Sequence, residues 1–297
     1  MTQKSAGVGI FDSGMGGLDV AAAISRLLPK EEIVYFGDNA RVPYGTKSAA
    51  VVRGYTYEAA ERLVKRGVKA LVIACNTASA VIDRDHLESE FGVPVFGMIE
   101  AGLAACESYI APPSSQVSCV TVLATPGTVR SGAYQELISK HFPQVHISAL
   151  PCPIFVPLVE MGWEDHGLSA QIVEAQLREH ITELSDVLCR AQKTEAIYLL
   201  GCTHYPMMRE SITQGVSLLD SGPFHCIDGA ESVAELLKAR LDREGLLNDR
   251  SDEKVGERVA YFSDDPYRPA ASELASRFWR RRGGVGEILI MSATRRE

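Results

Sequence analysis

Short apolar runs alternate with longer segments of helical periodicity along this chain. The runs are often β-branched and lie around Ile10, Val34, Val72, Val95, Val122, Ile147, Leu199 and Tyr261. Between them, apolar residues recur every three or four positions, most clearly over 19–28, 49–64 and 168–188. Strands that alternate with amphipathic helices predict an α/β fold with largely parallel sheets. In such sheets, ligands bind beyond the carboxyl ends of the strands.

A diverged internal repeat is visible in three pairs of segments that occur in the same order. ALVIACNTAS resembles AIYLLGCTHYP, VGIF with DSGMGG resembles VTVLA with TPGT, and ARVPYG resembles IFVPLVE more weakly. The alternative is that short loops of α/β proteins look alike by chance. The repeat predicts two similar α/β domains that face each other, with the active site in the cleft between them.

The expected domain boundaries follow from the places where the repeat begins and ends. We expect residues 1–98 and 215–297 to form the first domain and residues 99–214 to form the second. The strand VAYF and the helix around Leu274 then complete the first domain. The tail from Gly283 onward has no clear assignment.

Composition and charge limit the classes of function. The chain has 297 residues, 46% hydrophobic and 23% charged, which allows a sizeable core. The net charge of −8 argues against partners such as nucleic acid or an anionic membrane. No apolar run approaches the roughly 20 residues that span a bilayer, and the polar start MTQKSAG predicts a cytoplasmic protein. The basic cluster at 280–282 is interpreted as a solvated helix end.

The cysteines are expected to be free thiols. Their number is odd and no CxxC occurs; they stand at positions 75, 106, 119, 152, 189, 202 and 226. Cys106, Cys119, Cys189 and Cys226 are interpreted as small buried core residues.

Cys75 and Cys202 are the candidate catalytic residues. Each follows an apolar run and precedes small polar residues, and a strand-to-helix turn offers backbone N–H groups that favour a thiolate. The alternative is a core cysteine at a strand end. His204 is a candidate proton-transfer partner, although the CxH spacing also occurs in metal sites. Glu160 is a candidate to orient His204, and a surface glutamate is the alternative.

Other polar residues could complete such a site. Asp12 and Ser13 follow the first strand within a glycine-rich turn, where a carboxylate could bind an ammonium group or assist a thiol; a helix cap or a weak phosphate loop are the alternatives. The turn at Tyr44 and Gly45 could present amides to a carboxylate, or be an ordinary turn. Neutral donors suited to a small carboxylate ligand are Asn76, Thr77, Thr125 and Thr203.

Six motifs together resemble glutamate racemases of the cofactor-independent aspartate/glutamate racemase superfamily. They are VGIFDSGMGGLDV, YFGDNARVPYGTKS, LVIACNTASA, ATPGTVRSGAY, PIFVPLVE and LLGCTHYP, in order from about residue 8 to 210. The resemblance implies a two-domain enzyme that interconverts L- and D-glutamate without cofactor or metal. It also implies a role in bacterial peptidoglycan synthesis, with glutamate as the small-molecule partner. A homodimer is a possible assembly.

The resemblance extends to individual positions. The two cysteines of the family match Cys75 and Cys202, which Asp12 and His204 would assist. Its substrate-contacting segments match Asp12–Ser13, Tyr44–Gly45, Asn76–Thr77 and Thr203–His204. Asp19 stands where the family more often has threonine, a change interpreted as having little bearing on chemistry. The extension after Gly283 lies outside the family pattern.

The resulting hypothesis is a two-base reaction at an α-carbon. One cysteine removes the proton as a thiolate, and the other, as a thiol, delivers a proton to the opposite face. A racemase of aspartate or of another amino acid would share most of these motifs. A two-thiol redox or ligand-sensing protein is an alternative from another class, and it predicts a reversible Cys75–Cys202 disulfide.

Overall fold

The computed structural model describes residues 3–164, 167–185, 195–219, 222–249, 256–264 and 269–292. The strands are β1 (Val8–Asp12), β2 (Ile33–Gly37), β3 (Ala70–Ile73), β4 (Val95–Gly97), β5 (Val117–Ala124), β6 (His146–Pro151), β7 (Glu195–Gly201), β8 (Phe224–Ile227), β9 (Arg258–Phe262) and β10 (Leu289–Ser292). The helices are α1 (Leu18–Leu27), α2 (Ala49–Lys65), α3 (Asn76–Ser79), α4 (Arg84–Phe91), α5 (Met98–Ile110), α6 (Pro126–Ser131), α7 (Ala133–His141), α8 (Phe155–Glu160), α9 (Gly167–Ser185), α10 (Arg209–Leu219), α11 (Ala230–Arg243) and α12 (Pro269–Arg281).

The first compact unit comprises residues 1–101 and 230–297 and contains a six-stranded sheet. Its strand order is β10-β9-β2-β1-β3-β4, and every recorded pairing is parallel. The central strand β1 is buried along its whole length, as expected for a parallel sheet covered on both faces. Helix α2 packs on this sheet through Val52, Ala59, Ala60 and Leu63.

The second compact unit comprises residues 102–229 and contains a four-stranded parallel sheet of order β6-β5-β7-β8. Its core strands carry Val120, Val122, Ile197 and Leu199, all at most 1% exposed. Helices α9 and α10 pack together in this unit.

The four strands of the second sheet reproduce an arrangement found in the first. The order β2-β1-β3-β4 and the order β6-β5-β7-β8 are the same when β1 is matched to β5 and the others follow in sequence. In the repeat, the VGIF and VTVLA pair falls on β1 and β5, the ARVPYG and IFVPLVE pair comes after β2 and β6, and the ALVIACNTAS and AIYLLGCTHYP pair falls on β3 and β7 and the residues after them. The prediction of two similar α/β domains with largely parallel sheets is confirmed.

The segment that leaves the second unit differs from the expectation. Residue 215 lies inside α10, and β8 pairs with β7, so the second unit continues to Gly229. The chain returns to the first unit with α11. Helix α5 begins in the first unit and ends in the second, close to the expected crossover at residue 99.

The C-terminal part of the chain belongs to the first unit. The tail from Gly283 onward, to which the sequence assigned no element, contains β10, which pairs in parallel with β9. Just before it, the Arg282 guanidinium makes a two-point contact with the Asp19 carboxylate of α1, at 2.6 to 3.1 Å. The Arg282 side chain is only 16% exposed. The interpretation of 280–282 as a solvated helix end is therefore wrong for Arg282, because a buried carboxylate holds it.

Two other expectations concern cysteines and membranes. Cys106 and Cys119 are buried and unbridged, and Cys226 is half-buried and unbridged, while Cys189 lies outside the described residues. Among the helices in the described ranges, none has the length and apolar character to cross a membrane.

Candidate functional site

Asp12 is the last residue of β1 and is fully buried. Its Oδ2 accepts a hydrogen bond from the Gly14 amide at 3.0 Å. The turn is tight, since a Cβ atom on Gly17 would lie 2.5 Å from Asp12 Cβ. The first strand and the glycine-rich turn thus fix this carboxylate at the carboxyl end of the sheet, where the sequence predicted it.

Cys75 follows β3, the strand next to β1, and is the N-cap residue of the short helix α3. Its Sγ lies 3.4 Å from the Ser13 hydroxyl, to which it can donate. Asn76 and Thr77 follow directly and are each 4% exposed. The structure therefore brings Asp12, Ser13 and Cys75 to one sheet end, because adjacent parallel strands end together.

Tyr44 and Gly45 lie in the loop between β2 and α2, and both are buried. The Tyr44 hydroxyl donates to Asp38 Oδ2 at 2.5 Å. Burial and this hydrogen bond raise the pKa of Tyr44, and the negative charge of a Cys75 thiolate adds to the effect. Tyr44 therefore stays a neutral donor within electrostatic reach of the thiol.

Asp38 is a residue that the sequence analysis missed. It is fully buried, and it accepts hydrogen bonds from Tyr44, from Arg41 at 2.5 Å and from Ser263 at 2.8 Å. These contacts tie the Tyr44 loop to the end of β9. Asp38 directly follows the apolar run of β2, so the signal that singled out Asp12 and Cys75 was present here too.

Cys202 follows β7 and is 7% exposed. Its neighbours Thr203 and His204 are also buried, and the His204 Nδ1 lies 3.5 Å from the Thr203 hydroxyl. His204 Nε2 lies 3.2 Å from Oε1 of Glu160, the last residue of α8. The contact between Glu160 and His204, left open by the sequence, is present.

The charge of His204 is set by its neighbours. Burial lowers the pKa of this imidazole, but hydrogen bonds to Cys202 and Glu160 and their negative charges outweigh burial and raise the pKa to about 10. His204 is therefore a cation at neutral pH.

Thr125 follows β5, whose last residue Ala124 pairs in register with Gly201 of β7. Its hydroxyl caps α6 by accepting from the Thr128 amide and also contacts the Thr128 hydroxyl at 3.1 Å. Thr125 thus lies at the same sheet end as Cys202, with its oxygen engaged in a helix cap. Among the described residues, no group of three or more His, Cys, Asp or Glu side chains could hold a metal ion.

This chain resembles known proteins, and the resemblance shows its family. The family model for Asp/Glu/Hydantoin racemases matches residues 15–237. The chain belongs to the Asp/Glu/Hydantoin racemase family. The predicted class of enzyme, an isomerase that racemises, is thereby confirmed.

Individual relatives agree with this assignment over nearly the whole chain. A glutamate racemase of Thermus thermophilus is 39% identical over 282 residues, which cover 93% of this chain and 95% of that protein. A crystal structure of a Francisella tularensis glutamate racemase in complex with D-glutamate has 31% identity and a TM-score of 0.79, covering 97% of both chains. One from Thermus thermophilus, in complex with β-chloro-D-alanine, has 37% identity and a TM-score of 0.73, covering 98% of both.

Proposed function

We propose that this protein interconverts L- and D-glutamate through two thiols, Cys75 and Cys202. The observation that carries the proposal is the repeated construction. In each unit, a buried cysteine lies within two residues of the end of the strand that pairs with the first strand of the repeat, at the carboxyl end of the sheet. A two-base racemisation needs one such group for each face of the α-carbon.

The Cys75 half of the reaction would use neutral and anionic neighbours. As a thiolate, Cys75 would remove the α-proton of one enantiomer, and as a thiol it would return a proton to the same face. Ser13 at 3.4 Å can donate to the thiolate or accept from the thiol. We assign to Asp12 the contact with the substrate ammonium and assistance to Cys75.

The Cys202 half would use a cation. The pKa of His204 is raised to about 10, so its imidazolium would stand beside Cys202 during the proton transfers. Glu160 would balance this charge at the Nε2 atom of the ring. The proton that Cys202 gains or loses therefore moves next to a fixed positive charge.

Substrate carboxylates require hydrogen-bond donors. The proposed donors are the neutral side chains beside the thiols and the amides of the tyrosine loop: Ser13, Tyr44, Gly45, Asn76, Thr77, Thr125 and Thr203. Fixed donors stabilise the negative charge that develops as the α-proton leaves, which no cofactor absorbs in the proposed reaction. These roles, and the requirement that both thiols reach one substrate carbon, are parts of the proposal.

Replacing each thiol tests the proposal. Cys75→Ala and Cys202→Ala should each lower the racemisation of glutamate, followed by polarimetry, by at least about a thousandfold, because each face loses its only base. Cys106→Ala, which removes a buried thiol from α5, is the matched control and should keep its activity. Near-normal racemisation by either single variant would refute the two-thiol reaction.

The choice of amino acid is tested separately. We expect the wild-type protein to racemise glutamate at least about a hundredfold faster than aspartate, alanine or serine in the same polarimetric assay. Faster racemisation of aspartate would assign a different substrate while leaving the thiol chemistry intact.

The cellular setting completes the proposal. D-Glutamate formed by this reaction would serve peptidoglycan synthesis. The cysteines in the described ranges form no disulfide bond, which fits a reducing compartment and supports the proposal of a cytoplasmic location. A homodimer is the proposed assembly and is open to measurement by sedimentation.

A further inference from the structure

We propose that Tyr35 is a positioning residue that holds Asp12 and its turn in place for the proton transfers of Cys75. This inference rests on the function proposed above. It concerns a residue inside β2, three positions before the Asp38 that anchors the tyrosine loop.

The ring of Tyr35 is locked within the core of the first unit. Tyr35 pairs in register with Ile10 of β1 and is fully buried. Phe262 of β9 packs against it at 5.8 Å between ring centroids. The side chain therefore has one orientation, and its hydroxyl reaches the turn that follows β1.

At that turn, the hydroxyl donates to the Gly14 carbonyl at 2.8 Å. The backbone is packed so closely that added side chains would collide: a Cβ on Gly17 would lie 3.0 Å from the hydroxyl, and a Cβ on Gly37 would lie 2.3 Å from the Gly14 oxygen. The Gly14 carbonyl is thus fixed between Tyr35 and the backbone of β2.

Gly14, which Tyr35 fixes, also holds Asp12, because its amide donates to the Asp12 carboxylate at 3.0 Å. The Tyr35 hydroxyl also lies close enough to Asp12 for that carboxylate to raise the pKa of the tyrosine. Burial, followed by the negative charges of Asp12 and Cys75, raises the pKa of Tyr35 well above its ordinary value. The hydroxyl therefore keeps its proton and remains a donor whatever the charge on the thiol.

Removing the hydroxyl should affect one half-reaction. Without it, the Gly14 carbonyl loses a buried donor, and the Gly14 amide that holds Asp12 is no longer fixed. The carboxylate then no longer has a single position beside Cys75. Nothing in this contact set belongs to the second unit. The Cys75 transfers should slow, and the Cys202 transfers should not.

Steady-state rates alone cannot separate the two transfers. Enantiomers have equal free energy, so the equilibrium constant is one and kcat/KM must fall equally in both directions. Primary deuterium isotope effects do separate them, because a transfer that becomes slower also becomes more rate-limiting. The enantiomer whose α-hydrogen each thiol removes is first assigned from solvent-deuterium exchange by Cys75→Ser and Cys202→Ser.

The test compares Tyr35→Phe with Thr56→Val, measured with both α-deuterated enantiomers of glutamate. Thr56 of α2 also carries a buried hydroxyl that donates to a backbone carbonyl at 2.8 Å, so its loss matches the structural cost. Tyr35→Phe should lower kcat/KM about tenfold in both directions, as expected for a lost hydrogen bond near a charge. The isotope effect should rise for the enantiomer that Cys75 deprotonates and fall for the other.

The outcomes distinguish the two levels of inference. Isotope effects in Tyr35→Phe that equal those of Thr56→Val overturn the positioning role, whatever the loss of rate. Racemisation that survives both cysteine substitutions overturns the proposed function instead. If Tyr35→Phe does not fold, Phe262→Leu keeps the hydroxyl but loosens its ring, and the same shift at smaller size is expected; its absence overturns the role.

Discussion

The two units place a cysteine at the same point of the same strand order and surround it with opposite charges. Near Cys75, the turn after β1 fixes the carboxylate of Asp12, and the Ser13 hydroxyl lies 3.4 Å from the sulfur. Around Cys202 it is the imidazolium of His204, held by Glu160. In the proposed reaction, similar backbones therefore support two different ways to assist a thiol, and each way predicts its own response to substitution.

Among the tests of this comparison, the largest expected effect comes from replacing Asp12 and His204, the proposed assistants of the two thiols, with neutral side chains. Asp12→Asn and His204→Asn should each lower kcat by about 100-fold or more, because each removes a charge next to a transferred proton. The two variants should bias the primary isotope effects toward opposite enantiomers. The same bias in both would show that the assistants do not divide between the thiols, and would break the comparison.

A second test concerns the ion pair between Arg282 and Asp19 in the first unit. Arg282→Ala leaves the Asp19 carboxylate, 2% exposed, without its guanidinium partner at the start of α1. A buried charge left this way costs about 3 kcal/mol of unfolding free energy, measured by urea denaturation. Lys4→Ala, which breaks an exposed pair with Asp249, is the control and should leave the unfolding free energy nearly unchanged. Equal costs would contradict the burial of Arg282.

The pH dependence should reveal the cation in the second unit. With the pKa of His204 raised to about 10, its imidazolium is present below that pH, so the part of kcat/KM that depends on it should be lost as pH rises through about 10. The charged His204 also contributes to the unfolding free energy, and this contribution should be lost between about pH 6.5 and pH 10. Glu160→Gln removes one cause of the raised pKa. The loss of kcat/KM should then occur at a lower pH, and the loss of unfolding free energy should be smaller and end at a lower pH.

A matched pair provides the control for this experiment. His225 and Glu195 make a similar contact at 3.3 Å in the same unit, with both side chains about one-third exposed. Glu195→Gln should leave the pH profile of kcat/KM unchanged. If the two variants shift the profile equally, the shift does not come from His204.

The smallest expected effect concerns the hydroxyls next to the thiols. Ser13→Ala should lower kcat/KM by about fivefold, because it removes the oxygen at 3.4 Å from Cys75 Sγ. Thr203→Val changes the corresponding neighbour of Cys202 and should act through the His204 contact at 3.5 Å, with an effect of similar size. A loss above about 100-fold from Ser13→Ala would assign that hydroxyl a direct part in proton transfer.

The sequence predicted the features that depend on local pattern. Apolar runs locate the central strands, and polar residues directly after them locate Asp12, Cys75 and Cys202. Strand β10 was not predicted because it has four residues, all exposed or half-buried, and so lacks a buried apolar run. Its place is set by pairing with β9, which is not a local property of the sequence.

The sequence also did not predict which charged groups are buried by partners distant along the chain. Arg282 and Asp19 are 263 positions apart, and a charged residue considered alone is expected at the surface. The boundary at Gly229 depends on the pairing of β8 with β7 in the same way. Asp38 differs, because it follows β2 directly and the same pattern argument applies to it.

The order β10-β9-β2-β1-β3-β4 has a consequence for synthesis on the ribosome. The nascent chain completes β1 to β4 first and then the whole second unit, while the partner of β2 on its open side, β9, is still untranslated. The intervening stretch of about 160 residues takes roughly 10 to 30 s at elongation rates of about 5 to 20 residues per second. For that time one edge of the growing sheet offers unpaired backbone groups to other chains. Vectorial synthesis thus makes the β2 edge the point at which chaperones would protect the emerging protein.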